Sequence, residues 1–159
     1  MRTLYITLTL VLLMAFIIPL HNMLAVSPTS PLYTHFCYMF GHAGFIHWAV
    51  NGWCILLLHH HYRLHRLLAA WLGSVALSFL YYPSLPVLGA SVIISFFMGF
   101  TAPWLFRHKR LAFYQMVLIL IVGCLLPHIA GFYHLILFLL GILYAKAENM
   151  VHQYRSLNL

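Results

Sequence analysis

Charge is scarce in this sequence. Of its 159 residues 6% are charged, one of them acidic and eight of them Lys or Arg, where soluble domains carry about 25%. Residues 3–62, 67–106 and 111–145 contain no Asp, Glu, Lys or Arg at all. Such stretches exclude a water-exposed surface over most of the chain, and the 64% hydrophobic composition points to lipid as the solvent. The lack of acidic residues inside the stretches argues against an ion-coupled transporter. Cysteine is sparse as well. Cys37, Cys54 and Cys124 have neither metal-ligand spacing nor a disulfide pattern, and they read as small buried apolar residues. No linker, low-complexity run or internal repeat interrupts the chain, which reads as one domain, residues 1–159.

What is present is a set of long apolar stretches. A helix needs ~20 residues to cross the hydrocarbon, and charges, prolines and glycines divide the chain into six candidates, about 3–20, 45–62, 67–82, 90–106, 111–127 and 128–146. Open strands cannot satisfy their backbone in lipid. The expected fold class is therefore all-α, a polytopic membrane protein built as a six-helix bundle.

Basic residues of short loops stay on the cytoplasmic side. With six spans and a cytoplasmic N-terminus, Arg2, Arg63, Arg66, Arg107, Lys109, Arg110, Lys146 and Arg155 all fall on that side, and the three outer loops carry none. The expectation is a multi-pass protein of the cell membrane with both termini in the cytoplasm. Arg2 followed by Leu4 to Ile18 also resembles a secretory signal peptide. Leu24-Ala25-Val26 is a poor cleavage site, however, and the first stretch is read as a retained helix. The net charge of +7 then belongs to inner loops facing anionic lipid. The bilayer is the expected partner and nucleic acid is not.

Two outer connections are irregular. Asn22 to Gly44 opens with Ser27-Pro28-Thr29-Ser30-Pro31 and continues as the aromatic, uncharged run from Leu32 to Phe40, which suits an element in the headgroup region. Tyr81 to Gly89 contains Pro83, Pro86 and Gly89, so it cannot be helical throughout, and it is apolar enough to dip back into the protein.

Polar side chains inside the stretches are the informative positions, because burying them without partners costs several kcal/mol. His47 and Asn51, four apart, share a face of the second helix. Ser91 begins the fourth and His128 the sixth. By the charge topology all four lie toward the outer face. A hydroxyl becomes a nucleophile when a base takes its proton, and the tetrahedral intermediate needs donors aimed at its oxyanion. Ser91 and His128 suit the first requirement; His47, Asn51 and a backbone N–H at a helix start suit the second. Ser91, Ser95 and Gly99 also form a small-residue stripe that lets another helix approach closely, with Ala130 and Gly131 as a candidate partner.

Each residue has a plainer reading. Serines in membrane helices often serve packing, and a core histidine is often satisfied by its neighbours; on the plainer reading His47 and Asn51 simply cross-link helices. His59, His60, His61 and His65 lie beside Arg63 and Arg66, where an interfacial basic cluster and a metal site are both conceivable. No role is assigned to these or to His21, His35, His108, His134 and His152.

At the candidate residues the sequence resembles the rhomboid protease family. The segment from Phe40 to Asn51 is similar to the family's second helix, with the His-x-x-x-Asn pair matched by His47 and Asn51 and the loop histidine by His42. Gly89-Ala90-Ser91 resembles the G-x-S nucleophile motif, Met98-Gly99 follows at the family's spacing, and His128-Ile129-Ala130-Gly131 resembles the start of the sixth helix. Val92 and Ser95 stand where the family commonly has glycine and an aromatic residue. Tyr33-Thr34 replaces a Trp-Arg pair, and Leu135 a glycine.

The resemblance implies a rhomboid-like six-helix fold and an intramembrane serine endopeptidase without cofactor or metal. Ser91 would be nucleophile and His128 general base, with His47, Asn51 and Gly89 serving the oxyanion and substrate. Other membrane proteins, cut in their transmembrane segments near the outer face, would be the substrates. A non-proteolytic rhomboid-like protein that binds membrane clients is the alternative, and a cytochrome-b-like haem carrier using His47 and His128 is a third reading.

Overall fold

The computed structural model describes residues 2–80, 86–125 and 130–157. Over these the chain is all-α apart from one isolated antiparallel bridge between Val26 and Val87. The helices are α1 (Arg2–Ile17), α2 (His21–Leu24), α3 (Thr34–Cys37), α4 (Phe45–Leu57), α5 (Leu64–Leu80), α6 (Ser91–His108), α7 (Arg110–Leu125) and α8 (Gly131–Leu157). Single 3-10 turns cover Ile18–Leu20, Tyr38–Phe40 and His59–His61. Each of the six expected stretches thus holds one long helix.

The boundaries differ where a charge is tolerated inside a helix. α5 begins three residues before the expected 67, because Arg66 is folded in: its guanidinium donates to the His61 carbonyl at 3.1 Å, leaving it 9% exposed. α8 carries on past Lys146 to Leu157, since no proline or glycine follows Gly141 to stop it. Among the described residues one helix, Gly131–Ser156, is long and apolar enough to cross a membrane, while Leu4–Leu20, Phe45–Leu57, Leu64–Leu80 and Arg110–Leu125 are apolar but shorter.

Two compact units divide the chain, Met1–Ile94 and Ser95–Leu159. In the first, α4 lies on α1. Gly52 makes this possible, since a Cβ there would sit 2.7 Å from Val11 Cγ1, and Trp48 Nε1 donates to the Val11 carbonyl at 2.8 Å. α5 receives the segment around α3 along one face. Trp71 Nε1 donates to the Phe36 carbonyl at 3.2 Å, Tyr38 Oη to the Ser74 carbonyl at 3.1 Å, and Ser78 meets His35. The spacing of Trp71, Ser74 and Ser78 is that of one helical face, and the two serines are fully buried. The uncharged run around Tyr38 is therefore a packed element, with Tyr38 and Met39 completely covered.

In the second unit Ala102, Met116, Leu120 and Phe138 form the core, with Met98, Leu105, Phe113 and Ile142 against it. Within this unit α6 and α8 run in parallel, with their backbones in contact. A Cβ on Gly99 would lie 1.9 Å from the Phe138 carbonyl oxygen, and one on Gly141 2.0 Å from that of Phe96. Gly131, expected to face the small-residue stripe, instead packs on α7, where a Cβ would lie 2.3 Å from Cys124 Cα. This contact joins the start of α8 to the end of α7.

Candidate active site

α6 starts at Ser91, and the chain leading into it is fixed by main-chain bonds. Val26 N–H donates to the Val87 carbonyl and Val87 N–H to the Val26 carbonyl, both at 2.9 Å, and Gly89 N–H donates to the Tyr38 carbonyl at 2.9 Å. Val87, Gly89 and Ala90 are buried, so this part of the connection does fold back into the protein. Gly41 leaves room for it, because a Cβ there would lie 2.4 Å from Leu88 Cδ1.

Gly89 is the one described residue whose φ falls in the left-handed range, at 116°, a conformation that side-chain-bearing residues rarely adopt. Its open face is filled by α4. A Cβ on Gly89 would lie 2.6 Å from His47 Cε1, 2.9 Å from His47 Nε2 and 3.3 Å from Asn51 Nδ2. The His47–Asn51 pair and Gly89 are thus assembled in one place, two residues before Ser91.

The donors can be assigned. Ala43 N–H points at His47 Nδ1 at 3.4 Å, a long contact that nonetheless favours an unprotonated Nδ1 and puts the proton of the neutral ring on Nε2, the atom beside Gly89. Asn51 is 4% exposed, yet its Nδ2 has no hydrogen-bond partner among the described residues. A buried amide without a partner costs about 1–3 kcal/mol, which makes Asn51 Nδ2 a candidate donor for a bound group. Ser91 is half-buried and opens α6, which puts its backbone N–H in the first turn of the helix, pointing back toward the Gly89 segment.

His42 is the residue that sequence reasoning left without a role. It is 1% exposed, and its ring meets that of His47 edge-on at 5.2 Å. Neither ring nitrogen has a hydrogen-bond partner among the described residues. Burial and the adjacent His47 lower its pKa from 6.5 to about 4, offset slightly by the Phe40 backbone, which is near but outside good hydrogen-bond geometry. His42 is therefore a neutral ring behind His47. Its spacing ahead of His47 and Asn51 was visible, but a loop histidine is usually solvated, and burial is a tertiary fact.

A second Ser–His contact exists and has a different character. His35 Nδ1 lies 2.9 Å from Ser78 Oγ, while the Ser78 hydroxyl donates to the Val75 carbonyl at 2.6 Å. Its proton is committed, so the histidine must donate to the oxygen, the reverse of what a general base does. With its ring stacked on Phe79 at 4.1 Å, His35 ties α3 to α5.

His128, the expected base, lies outside the described residues. In the sequence it comes three residues before α8, and Ser91 opens α6. No group of three His, Cys, Asp or Glu among the described residues could hold a metal ion, the cluster around His59–His61 included. No family model matches the chain, and neither a curated protein nor a solved structure matches it.

Proposed function

We propose that this chain is a polytopic membrane protein and an intramembrane serine endopeptidase of the rhomboid type, with both termini cytoplasmic. The observation that carries this reading is the convergence of His47 and Asn51 on Gly89, with a buried Asn51 Nδ2 that has no partner among the described residues, immediately ahead of a serine at a helix start. A donor held in place close in sequence and space to a candidate nucleophile is what a tetrahedral intermediate requires. The outward surfaces support a lipid setting: Phe16, Ile46, Val50, Trp53, Leu118 and Leu125 are all exposed, on a scale that water does not tolerate.

In this mechanism Ser91 Oγ attacks the carbonyl carbon of the scissile peptide bond as His128 takes the hydroxyl proton. The oxyanion receives hydrogen bonds from His47 Nε2, Asn51 Nδ2 and the Ser91 N–H. The C–N bond then breaks, His128 returns the proton to the leaving amine, and a water deprotonated by the same ring hydrolyses the acyl-serine. Substrates are transmembrane segments of other proteins, cut near the outer face.

The test is cleavage of a model transmembrane substrate by the purified full-length protein in vesicles, together with labelling by a serine-directed fluorophosphonate mapped to a residue. Labelling at Ser91 and loss of cleavage in Ser91→Ala and His128→Ala are expected. Equal cleavage by wild type and Ser91→Ala would sink the mechanism. Retention of an uncut transmembrane segment by an unlabelled wild type would favour a client-binding protein instead.

A further inference from the structure

Within the second unit, an open pocket of about 610 Å³ lies between α6 and the polar end of α8, lined by Arg107, Lys146, Asn149, Met150, His152 and Gln153. The candidate active site uses none of these residues. Five of the six carry a side-chain N–H donor or cation, and the lining includes no carboxylate. Glu148, the one acidic residue of the sequence, is about 200° around the helix from Lys146 and about 40° from His152, so it borders the His152 edge of the pocket, away from Lys146. Neither Arg107 nor Lys146 forms an ion pair among the described residues. The electrostatics favour an anion, and an arginine fork with an ammonium and two amides suits a phosphate.

The position identifies the source of that phosphate. Arg107 ends the uncharged stretch 67–106 and Lys146 ends 111–145, so both mark where a hydrocarbon layer gives way to headgroups. Trp104, an interfacial type of residue, is exposed one turn before Arg107. Along α8 an exposed apolar track, Leu139 and Leu143, leads at helical spacing into Lys146 and Met150. A soluble phosphate would have no use for such a track, whereas an acyl chain would lie along it.

We infer that this pocket binds the phosphate headgroup of an anionic phospholipid, with an acyl chain against Leu139 and Leu143. The inference rests on the membrane-spanning reading above. Its test uses the full-length protein reconstituted in phosphatidylcholine vesicles containing a minority of phosphatidylglycerol, followed by native mass spectrometry of the lipid that stays bound. Wild type should retain phosphatidylglycerol with a preference of about thirtyfold, from roughly 1 kcal/mol for each basic side chain. Arg107→Gln/Lys146→Gln should lose that preference. Lys109→Gln/Arg110→Gln removes the same charge outside the pocket and should keep it.

Equal loss in both double variants, or no preference in wild type, overturns the site. Thermal stabilisation by millimolar inorganic phosphate in lipid-free micelles, equal to that by phosphatidylglycerol, overturns the lipid assignment in favour of a soluble phosphate. Alkaline carbonate extraction of the same vesicles separates the two layers of inference. Protein released by carbonate ends the membrane reading and the lipid site with it, whereas protein that stays embedded without lipid preference ends the lipid site alone.

Discussion

At the scale of single residues, Asn51 offers a separation of chemistry from stability. Its Nδ2 is buried and unpaired among the described residues, so an apolar side chain of similar size removes a desolvation penalty as it removes a donor. Asn51→Leu should leave the melting temperature unchanged or raised while lowering the cleavage rate about 100- to 1000-fold, the usual cost of losing one oxyanion donor; a variant that loses stability and activity in parallel would make Asn51 a packing residue. Gly89 behaves oppositely. Its φ of 116° and the His47 ring 2.6 Å from a would-be Cβ predict that Gly89→Ala loses about 1–3 kcal/mol and cleavage with it. Gly44 has nothing within 4 Å and an extended backbone, so Gly44→Ala should stay within ~0.5 kcal/mol of wild type. His42 supplies a pH signature. The unfolded ring takes its proton near 6.5 and the folded ring only at about 4, so between these values the unfolded state binds more protons. Stability should therefore fall as pH is lowered from 6.5 to 4, by up to ~1.4 kcal/mol per pH unit, and level off below. His42→Leu should flatten that part of a thermal-melt profile, and an unchanged slope would mean that the ring is not shielded as its burial indicates.

At the scale of elements, the contacts are made where side chains are missing. α6 and α8 touch backbone to backbone at Gly99 and Gly141, and a carbonyl cannot rotate away as a side chain can. Gly99→Ala and Gly141→Ala should each cost about 1–3 kcal/mol through overpacking, read as a lower unfolding midpoint in detergent; tolerance of both would mean that the helices separate easily. The helices themselves were legible because each interruption has a local cause: the basic joint from Arg107 to Arg110, the glycines at Gly44 and Gly89, the histidines between α4 and α5. The small-residue stripe also announced a close approach on α6. Its partner was not legible. Ala130 and Gly131 look as suitable in sequence as Gly141, and only the register of the packed helices assigns Gly131 to α7 and Gly141 to α6. The candidate site divides in the same way. Four-residue spacing put His47 and Asn51 on one face, but nothing local indicated that His42 would be buried behind them, or that Tyr38 would hold the Gly89 amide.

For the whole molecule, the distribution of charge at the helix joints supports the proposed topology. Arg63 and Arg66 lie at the α4–α5 joint, Arg107, Lys109 and Arg110 at the α6–α7 joint, and Lys146 and Arg155 in the last turns of α8, while the α1–α4, α5–α6 and α7–α8 connections carry no Lys or Arg. This alternation is what six successive crossings would produce if basic residues are retained on the cytoplasmic side. Several helices are nevertheless short for a bilayer. α4 has 13 residues, about 20 Å at 1.5 Å per residue, against a hydrocarbon layer of ~30 Å. Six crossings therefore require local thinning of the bilayer or support from the adjoining 3-10 turns, and topology has to be measured. With Cys37, Cys54 and Cys124 replaced by serine, single cysteines at the exposed positions Thr29, Lys109 and Ser156 report two connections and the end of α8 to an impermeant maleimide. Thr29→Cys should label in intact cells, and Lys109→Cys and Ser156→Cys only after permeabilisation. Labelling of Thr29→Cys and Ser156→Cys from the same side would leave the chain with an odd number of crossings fewer than six. It would also put the donors beside Gly89 and the basic pocket on α8 on the same side of the membrane, so that either outer-face cleavage or the inner-leaflet lipid site would fall.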